Sequence, residues 1–429
     1  MVFPRASGDG RQRQSHRLRF GLKSTPRLDR KPRPDTVRGL IIDSKTMDPV
    51  AAAKALWPRI KAARDDIQSQ STLPDSLVEE MAQANLFQLF VPRSIGGPET
   101  DPITAFRAVE ELSKADGSVG WCSFVATAIS IYSAWMPPEV ARKLFGQPLD
   151  IRAAGSFRPT ANARLVDGGY KIGGRWNYVS GIDHANWLIL NCNIVDDGRP
   201  VKDAQGGPVT RMMIVPRSAG TIEKTWSTMG MRGTGSNDLV IEEEFVPAEH
   251  TCLLYEPSFT EGAHYNPRFV TALSWGSVAG MALGIARGAM DTFVRMATGS
   301  GSTTTPTLMR NRTPVQTTVG EAEAIISGAR AYVLDAVGSM WDSACQGVSD
   351  PRSQILQARL AITHAVRESV RAVDMLFYVA GTNAIHESNE LELYFRDIHT
   401  AGQHIAGLHS NFEYGGQAIL GLPSGASGW

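Results

Sequence analysis

The spacing of hydrophobic positions changes twice along this chain. From about residue 47 to 152 apolar residues recur every three to four positions. Trp57, Ile60, Ala63 and Ile67 share one face, which predicts a helix. Pro74-Asp75 opens another, with Leu77, Met81 and Ala84 on one stripe, and Val91-Pro92 and Gly96-Gly97-Pro98 break the pattern. Residues 102–113 and 118–134 read as further helices, and Pro137-Pro138 marks the start of a short one. From about 153 to 255 the period falls to two. Tyr170-Lys171-Ile172, Trp187-Leu188-Ile189-Leu190, Met212-Met213-Ile214-Val215 and Leu239-Val240-Ile241 are strand-like runs, and Asp167-Gly168-Gly169 and Asp197-Gly198 supply turns. From about 256 to the end the helical period returns in longer stretches. One of them, 359–380, carries His364, Arg367 and Arg371 along one side.

This order predicts an α+β chain that is mostly α. An N-terminal helical domain (47–152) is followed by a central antiparallel β domain (153–255) and a C-terminal helical domain (256–429). No GxGxxG follows a strand at the start of a helix, so a doubly wound nucleotide fold is not indicated. Gly276, Gly280, Gly284 and Gly288 fall every four residues on one predicted helix. Each costs roughly 1 kcal/mol of helix stability. A close backbone approach would offset that, either from a helix of the same subunit or across an oligomer core.

Composition adds limits. Residues 1–46 hold twelve Lys/Arg against four Asp/Glu and have no apolar face, so they read as a disordered basic extension. They lack the apolar core of a secretory signal. The whole chain has zero net charge, which offers no general attraction for nucleic acid or acidic lipid. No run of 18 apolar residues suggests a membrane span. Cys122, Cys192, Cys252 and Cys345 are scattered, with neither disulfide nor metal-ligand spacing, and a reducing cytoplasm fits.

Several blocks carry chemistry when taken together. The β zone contains Tyr178-Val179-Ser180-Gly181, a short turn with His184, and Ala185-Asn186-Trp187. Further on come Met229-Gly230-Met231-Arg232-Gly233-Thr234-Gly235-Ser236 and Glu244-Phe245-Val246-Pro247. Leu86-Phe87, Val91-Pro92 and Gly96-Gly97 precede them, and Ala380-Gly381-Thr382-Asn383 and Phe395-Arg396-Asp397 follow. In this order, over residues 74–420, the blocks resemble the acyl-CoA dehydrogenase-like flavoproteins. The resemblance implies that family's fold, with a C-terminal four-helix bundle, and a homotetramer assembled through it. It also implies a flavin held by Ser156, Tyr178, Val179, Ser180, Gly181, Thr382 and Asn383. Tyr178 would pack near the ring system. Ser180 would sit at N5, where a hydroxyl can both donate and accept.

The end of the chain separates two activities. Acyl-CoA dehydrogenases need a carboxylate base, and their Glu-Gly-Thr is absent after Arg396-Asp397. His404 stands seven residues beyond Asp397, with His399 between them. Together with Gly117-Ser118-Val119-Gly120-Trp121, this is similar to the group D, two-component flavin monooxygenases. That resemblance implies reduced FMN or FAD from a separate NAD(P)H:flavin reductase. Reaction with O₂ would give a C4a-(hydro)peroxyflavin that hydroxylates a small phenol- or indole-like substrate. Ser180 and His404 would be the catalytic pair, His404 as a base titrating near neutrality. Trp121, Phe124 and His399 would contact substrate. No metal is implied. Met309-Arg310-Asn311-Arg312 has arginines but no Phe-Gly, which favours FMN or loosely exchanged FADH₂ over tightly held FAD. An acyl-CoA dehydrogenase with a relocated base and a non-catalytic flavin-binding homologue are the alternatives.

Overall fold

The computed structural model describes residues 48–422 apart from 147, 204–205, 254–255 and 300–307. The basic head, 1–46, lies outside the described residues. Among the described residues seven helices come first: α1 (Pro49–Ala55), α2 (Trp57–Ala62), α3 (Arg64–Gln70), α4 (Asp75–Gln83), α5 (Pro102–Ala115), α6 (Gly117–Ser130) and α7 (Pro138–Phe145). The first predicted helix is therefore divided, although Ile60, Ala63 and Ile67 still bury one continuous face. Side chains define the starts of α5 and α6. Asp101 accepts from the Ile103 and Thr104 amides at 3.0 and 2.9 Å, and Asp116 accepts from Ser118 and Val119 at 2.9 and 3.2 Å. Both carboxylates satisfy N–H groups that a helix start leaves unpaired.

Among the described residues eight strands follow: β1 (Ala153–Val166), β2 (Gly169–Val179), β3 (Trp187–Asp196), β4 (Arg199–Pro200), β5 (Thr210–Pro216), β6 (Thr221–Glu223), β7 (Asn237–Pro247) and β8 (Thr251–Cys252). They form one sheet in the order β6-β7-β2-β1-β3-β5-β8, with β4 on β3. The expectation of a purely antiparallel sheet needs correction, because β1 and β3 run parallel from Ala153↔Trp187 to Arg164↔Val195. The cause lies in the link between β2 and β3. It passes across the start of β1 instead of folding back as a hairpin. Asn186 pins the crossing: its Nδ2 donates to the Asp150 carbonyl at 2.9 Å, and its Oδ1 accepts from the Arg152 amide at 2.9 Å. The β1–β3 register shifts between Ser156 and Ala161.

The last five helices are α8 (Val270–Thr298), α9 (Thr313–Cys345), α10 (Arg352–Ala380), α11 (Glu390–Ala401) and α12 (Ser410–Ile419). Helices α8 to α11 pack together as the bundle, and α8 is buried over most of its surface. The glycine stripe faces the same chain. A Cβ on Gly280 would lie 2.7 Å from the Phe106 carbonyl oxygen, and one on Gly284 would lie 2.4 Å from that of Glu110. At Gly288 it would meet the Tyr394 ring at 2.6 Å. Helix α5 therefore approaches α8 backbone to backbone, which offsets the low helix propensity of glycine.

Candidate active site

The Arg396-Asp397 pair and the Met229-Gly230-Met231 loop, far apart in sequence, grip each other. Asp397 Oδ1 accepts from the Met231 amide at 2.6 Å, and Arg396 Nη1 donates to the Met229 carbonyl at 2.5 Å. Gly230 permits the approach, since a Cβ there would lie 2.2 Å from the Arg396 carbonyl oxygen. Glu392 holds the Arg396 guanidinium from one turn earlier on α11. The clamp ties α11 to the loop leading into β7. Asp397 is fully buried, and burial together with the charge of Asp116 pushes its pKa up to about 7.

Beside the clamp, three distant segments meet at Trp121. Its indole Nε1 donates to Ser180 Oγ at 3.0 Å. Its ring lies 5.1 Å from the His404 ring, edge to face, and 5.3 Å from Phe124. Trp275 of α8 closes on His404 from another side at 5.3 Å. Trp121 thus joins the serine of the β zone to the histidine after α11. The buried helix α6 holds it in place, and the Asp116 cap fixes that helix's start.

His404 follows α11 and begins a short turn of 3₁₀ helix, where its Nδ1 accepts from the Ala406 amide at 3.3 Å. A backbone N–H can only donate, so the proton of the neutral ring resides on Nε2. Burial among the two tryptophans lowers the His404 pKa to about 4. The expectation of an imidazole titrating near neutrality is therefore corrected. At neutral pH His404 is an uncharged Nε2–H donor. His399 takes a different direction: its Nε2 lies 2.8 Å from Asp374 Oδ1 on α10, and its ring packs on Phe395 at 4.5 Å. The structure does not bring it together with Trp121 and Ser180.

The Ser180 turn has local strain. Tyr178 has φ +59°, unusual for an aromatic residue, and the Ser180 amide folds back onto the Tyr178 carbonyl at 3.0 Å. The strained backbone presents the Tyr178 ring with 62% exposure, edge-on to Trp226 at 6.3 Å. An exposed aromatic face beside a hydroxyl network fits a flat, polar-edged ring system such as a flavin. Ser156, at the register shift of β1, is buried. The Val179 side chain is inside the β core, and the Gly181 amide donates to the Thr234 carbonyl at 2.8 Å. His184 covers Gly181 and packs on Phe87 at 5.5 Å, with burial lowering its pKa to about 4. Thr382 and Asn383 are exposed on a short 3₁₀ turn after α10.

Three contributors were not singled out from sequence. Trp275 was hidden in an apolar helix. Thr234 and Ser236 stood in a quoted block without a role. Only the fold puts Ser236 Oγ 2.7 Å from Ser180 Oγ and 2.7 Å from Thr234 Oγ1.

The carboxylates near the end of α11 are engaged elsewhere. Asp397 binds the Met231 amide, and Glu413 is exposed and accepts from Gln417. The groove of about 470 Å³ lined by Pro267, Arg268 and residues 349–352 contains none of the residues in this cluster.

Comparison with known proteins identifies the family. Residues 51–143 match the acyl-CoA dehydrogenase N-terminal domain and residues 277–407 the acyl-CoA dehydrogenase C-terminal domain. The chain is 30% identical to indole-3-acetate monooxygenase of Pseudomonas putida over 364 residues, covering 82% of this chain and 91% of that protein. It is 27% identical to the flavin-dependent monooxygenase oxygenase subunit HsaA of Rhodococcus jostii over 367 residues, covering 82% and 92%. It superposes on XiaF from Streptomyces sp., solved in complex with FADH2 and glycerol, with a TM-score of 0.81 at 26% identity, covering 89% of this chain and 97% of that one. The chain belongs to the acyl-CoA dehydrogenase-like superfamily. Within it, the chain is a flavin-dependent monooxygenase.

Proposed function

We propose that this protein is the oxygenase component of a two-component system that hydroxylates a small phenol- or indole-like compound. The observation that carries this reading is the junction at Trp121, which holds Ser180 and an uncharged His404 in an aromatic pocket. The names of the relatives, one an indole-3-acetate monooxygenase and another an oxygenase subunit, support the substrate class and the separate reductase. The dehydrogenase alternative has less support, because the nearby carboxylates are committed to other partners.

Bound reduced FMN or FAD would supply the electrons that activate O₂. Tyr178 offers it a face, Ser180 and Ser156 offer hydroxyls, and the Val179-Gly181 backbone completes that wall. Thr382 and Asn383, exposed on the turn after α10, would serve the more polar end of the cofactor. Trp121, Phe124 and Trp275 exclude water, which preserves the reactive state of the pocket. His404 donates from Nε2 toward a substrate hydroxyl or the oxygen being transferred, and so orients the substrate. This assigns His404 to donation and positioning instead of proton abstraction.

The protein works in this reading as a cytoplasmic homotetramer assembled through the C-terminal bundle. Among the described residues no helix is long and apolar enough to cross a membrane. The decisive assay supplies NAD(P)H, a flavin reductase, FMN or FAD and ¹⁸O₂, and screens phenols and indoles by mass spectrometry. One ¹⁸O atom in the product, dependent on both proteins, is the expected result. A protein that stays yellow as isolated and is bleached by an acyl-CoA would sink the proposal. Light scattering on the same sample tests the tetramer.

A further inference from the structure

Four side chains form an ordered line at the site: Trp121, Ser180, Ser236 and Thr234. The line ends on the Met231 carbonyl, which accepts from Thr234 Oγ1 at 2.9 Å. Each hydroxyl has a single proton to give, so the direction of one bond sets the direction of the next. A carbonyl can only accept, so the Thr234 proton goes to Met231. Thr234 must then accept from Ser236 across their 2.7 Å contact, and Ser236 in turn accepts from Ser180 across 2.7 Å. The Trp121 indole can only donate, and it donates to Ser180 at 3.0 Å. Ser180 is left with its proton committed and one lone pair to spare.

The anchor of this line is rigid. The Met231 amide is held by Asp397, and the Met231 carbonyl also accepts from the Trp226 indole at 3.0 Å. Thr234, Ser236 and Ser180 are all buried, so water does not compete readily for their protons. Reversing the line would free the Ser180 proton but would forfeit the bond from Thr234 to Met231. One net hydrogen bond of this kind is worth about fivefold in an equilibrium.

We propose that Thr234 and Ser236 are positioning residues that hold Ser180 as a hydrogen-bond acceptor and thereby make the site select reduced flavin over oxidised flavin. Reduced flavin carries a proton on N5 and presents a donor. Oxidised flavin presents a bare nitrogen that needs a donor. An acceptor at Ser180 suits the first and not the second. The inference rests on the reading that Ser180 faces N5 of a bound flavin. It goes further in naming what sets the polarity of that serine.

The test is an anaerobic titration of the full chain with oxidised and with dithionite-reduced FMN, then FAD, followed by quenching of tryptophan fluorescence. The quantity read is the ratio of the dissociation constants, oxidised over reduced. Thr234→Val removes the anchor and Ser236→Ala removes the acceptor of the Ser180 proton. Each is expected to lower the ratio about fivefold. The midpoint potential of the bound flavin should fall by about 20 mV, the two-electron equivalent of that change. Thr234→Ser, which restores a hydroxyl, should keep the wild-type ratio. An unchanged ratio in both Thr234→Val and Ser236→Ala, in protein that still folds and binds reduced flavin, overturns the inference and leaves the monooxygenase reading intact. Failure of the wild-type chain to bind either state of either flavin overturns both.

Discussion

The α5–α8 interface and the Trp121 junction are built on opposite principles. Between α5 and α8 the chain removes side chains so that backbones can touch, and the result is dry and dense. At Trp121 it adds bulky rings and buried hydroxyls, bends Tyr178 to a positive φ, and packs an uncharged, half-buried histidine against two tryptophans. The first region contributes stability through contact alone. The second accepts strain and costly desolvation, which persist where surrounding structure over-determines them and where the geometry has a use. Substitutions should therefore separate the two regions cleanly, one set changing stability and the other changing chemistry.

The largest effect is expected at Gly284. A valine there would drive its Cβ into the Glu110 carbonyl, which lies 2.4 Å from the position of that atom. Backbone cannot yield as a side chain can, so Gly284→Val should cost about 3 kcal/mol or more. Thermal denaturation checks this, and hydroxylation per folded molecule at low temperature should stay near wild type. If that specific activity collapsed as well, the two regions would be coupled and the contrast would fail.

His404→Ala comes next. Loss of a positioned donor costs on the order of 10²-fold in turnover. Stability should move far less, and His404→Gln, which keeps an N–H, should recover part of the rate. Product formation and peroxide release, measured together, show whether oxygen transfer or only binding has suffered.

Asp397 sharpens the boundary between the regions. Its folded pKa is raised, so between about pH 4 and 7 the folded state holds a proton that the unfolded chain has lost. Its contribution to stability is thus fully present in acid and is lost as pH rises through about 7. From pH 6 to 8 the loss is on the order of 1 kcal/mol. Asp397→Asn keeps an oxygen for the Met231 amide and should flatten this part of the stability profile in calorimetric scans.

The smallest expected effect is an absence of change. With its pKa lowered to about 4, His404 is neutral on both sides of pH 7. The wild-type turnover should carry no inflection from His404 between pH 5.5 and 8. An inflection in that range that disappears in His404→Gln would restore the general-base role.

Much of the fold was legible before any coordinates, because periodicity reports which face of an element is buried. Gly280 and Gly284 showed that some helix must come very close. They could not name α5, since one-sided closeness has the same spacing whatever the partner. The parallel β1–β3 pair was invisible for a related reason: alternation marks strands but not the path of the chain between them, and the Asn186 crossing decides that path. Of the site, Ser180, Trp121 and His404 stand out through the blocks that resemble the flavoprotein family, yet nothing linear joins them.

Sequence by itself determined the three-zone order, the glycine stripe, the Arg396-Asp397 block and the histidine that replaces a carboxylate. Each is local, and local chemistry is written in consecutive residues. Tertiary structure alone decided which histidine meets Trp121, that its proton is on Nε2, and that the Ser180 hydroxyl points its proton toward Ser236. Those are properties of neighbours brought together from distant segments. Burial sets a pKa and a partner sets the direction of a hydrogen bond, and neither neighbour is adjacent in the chain.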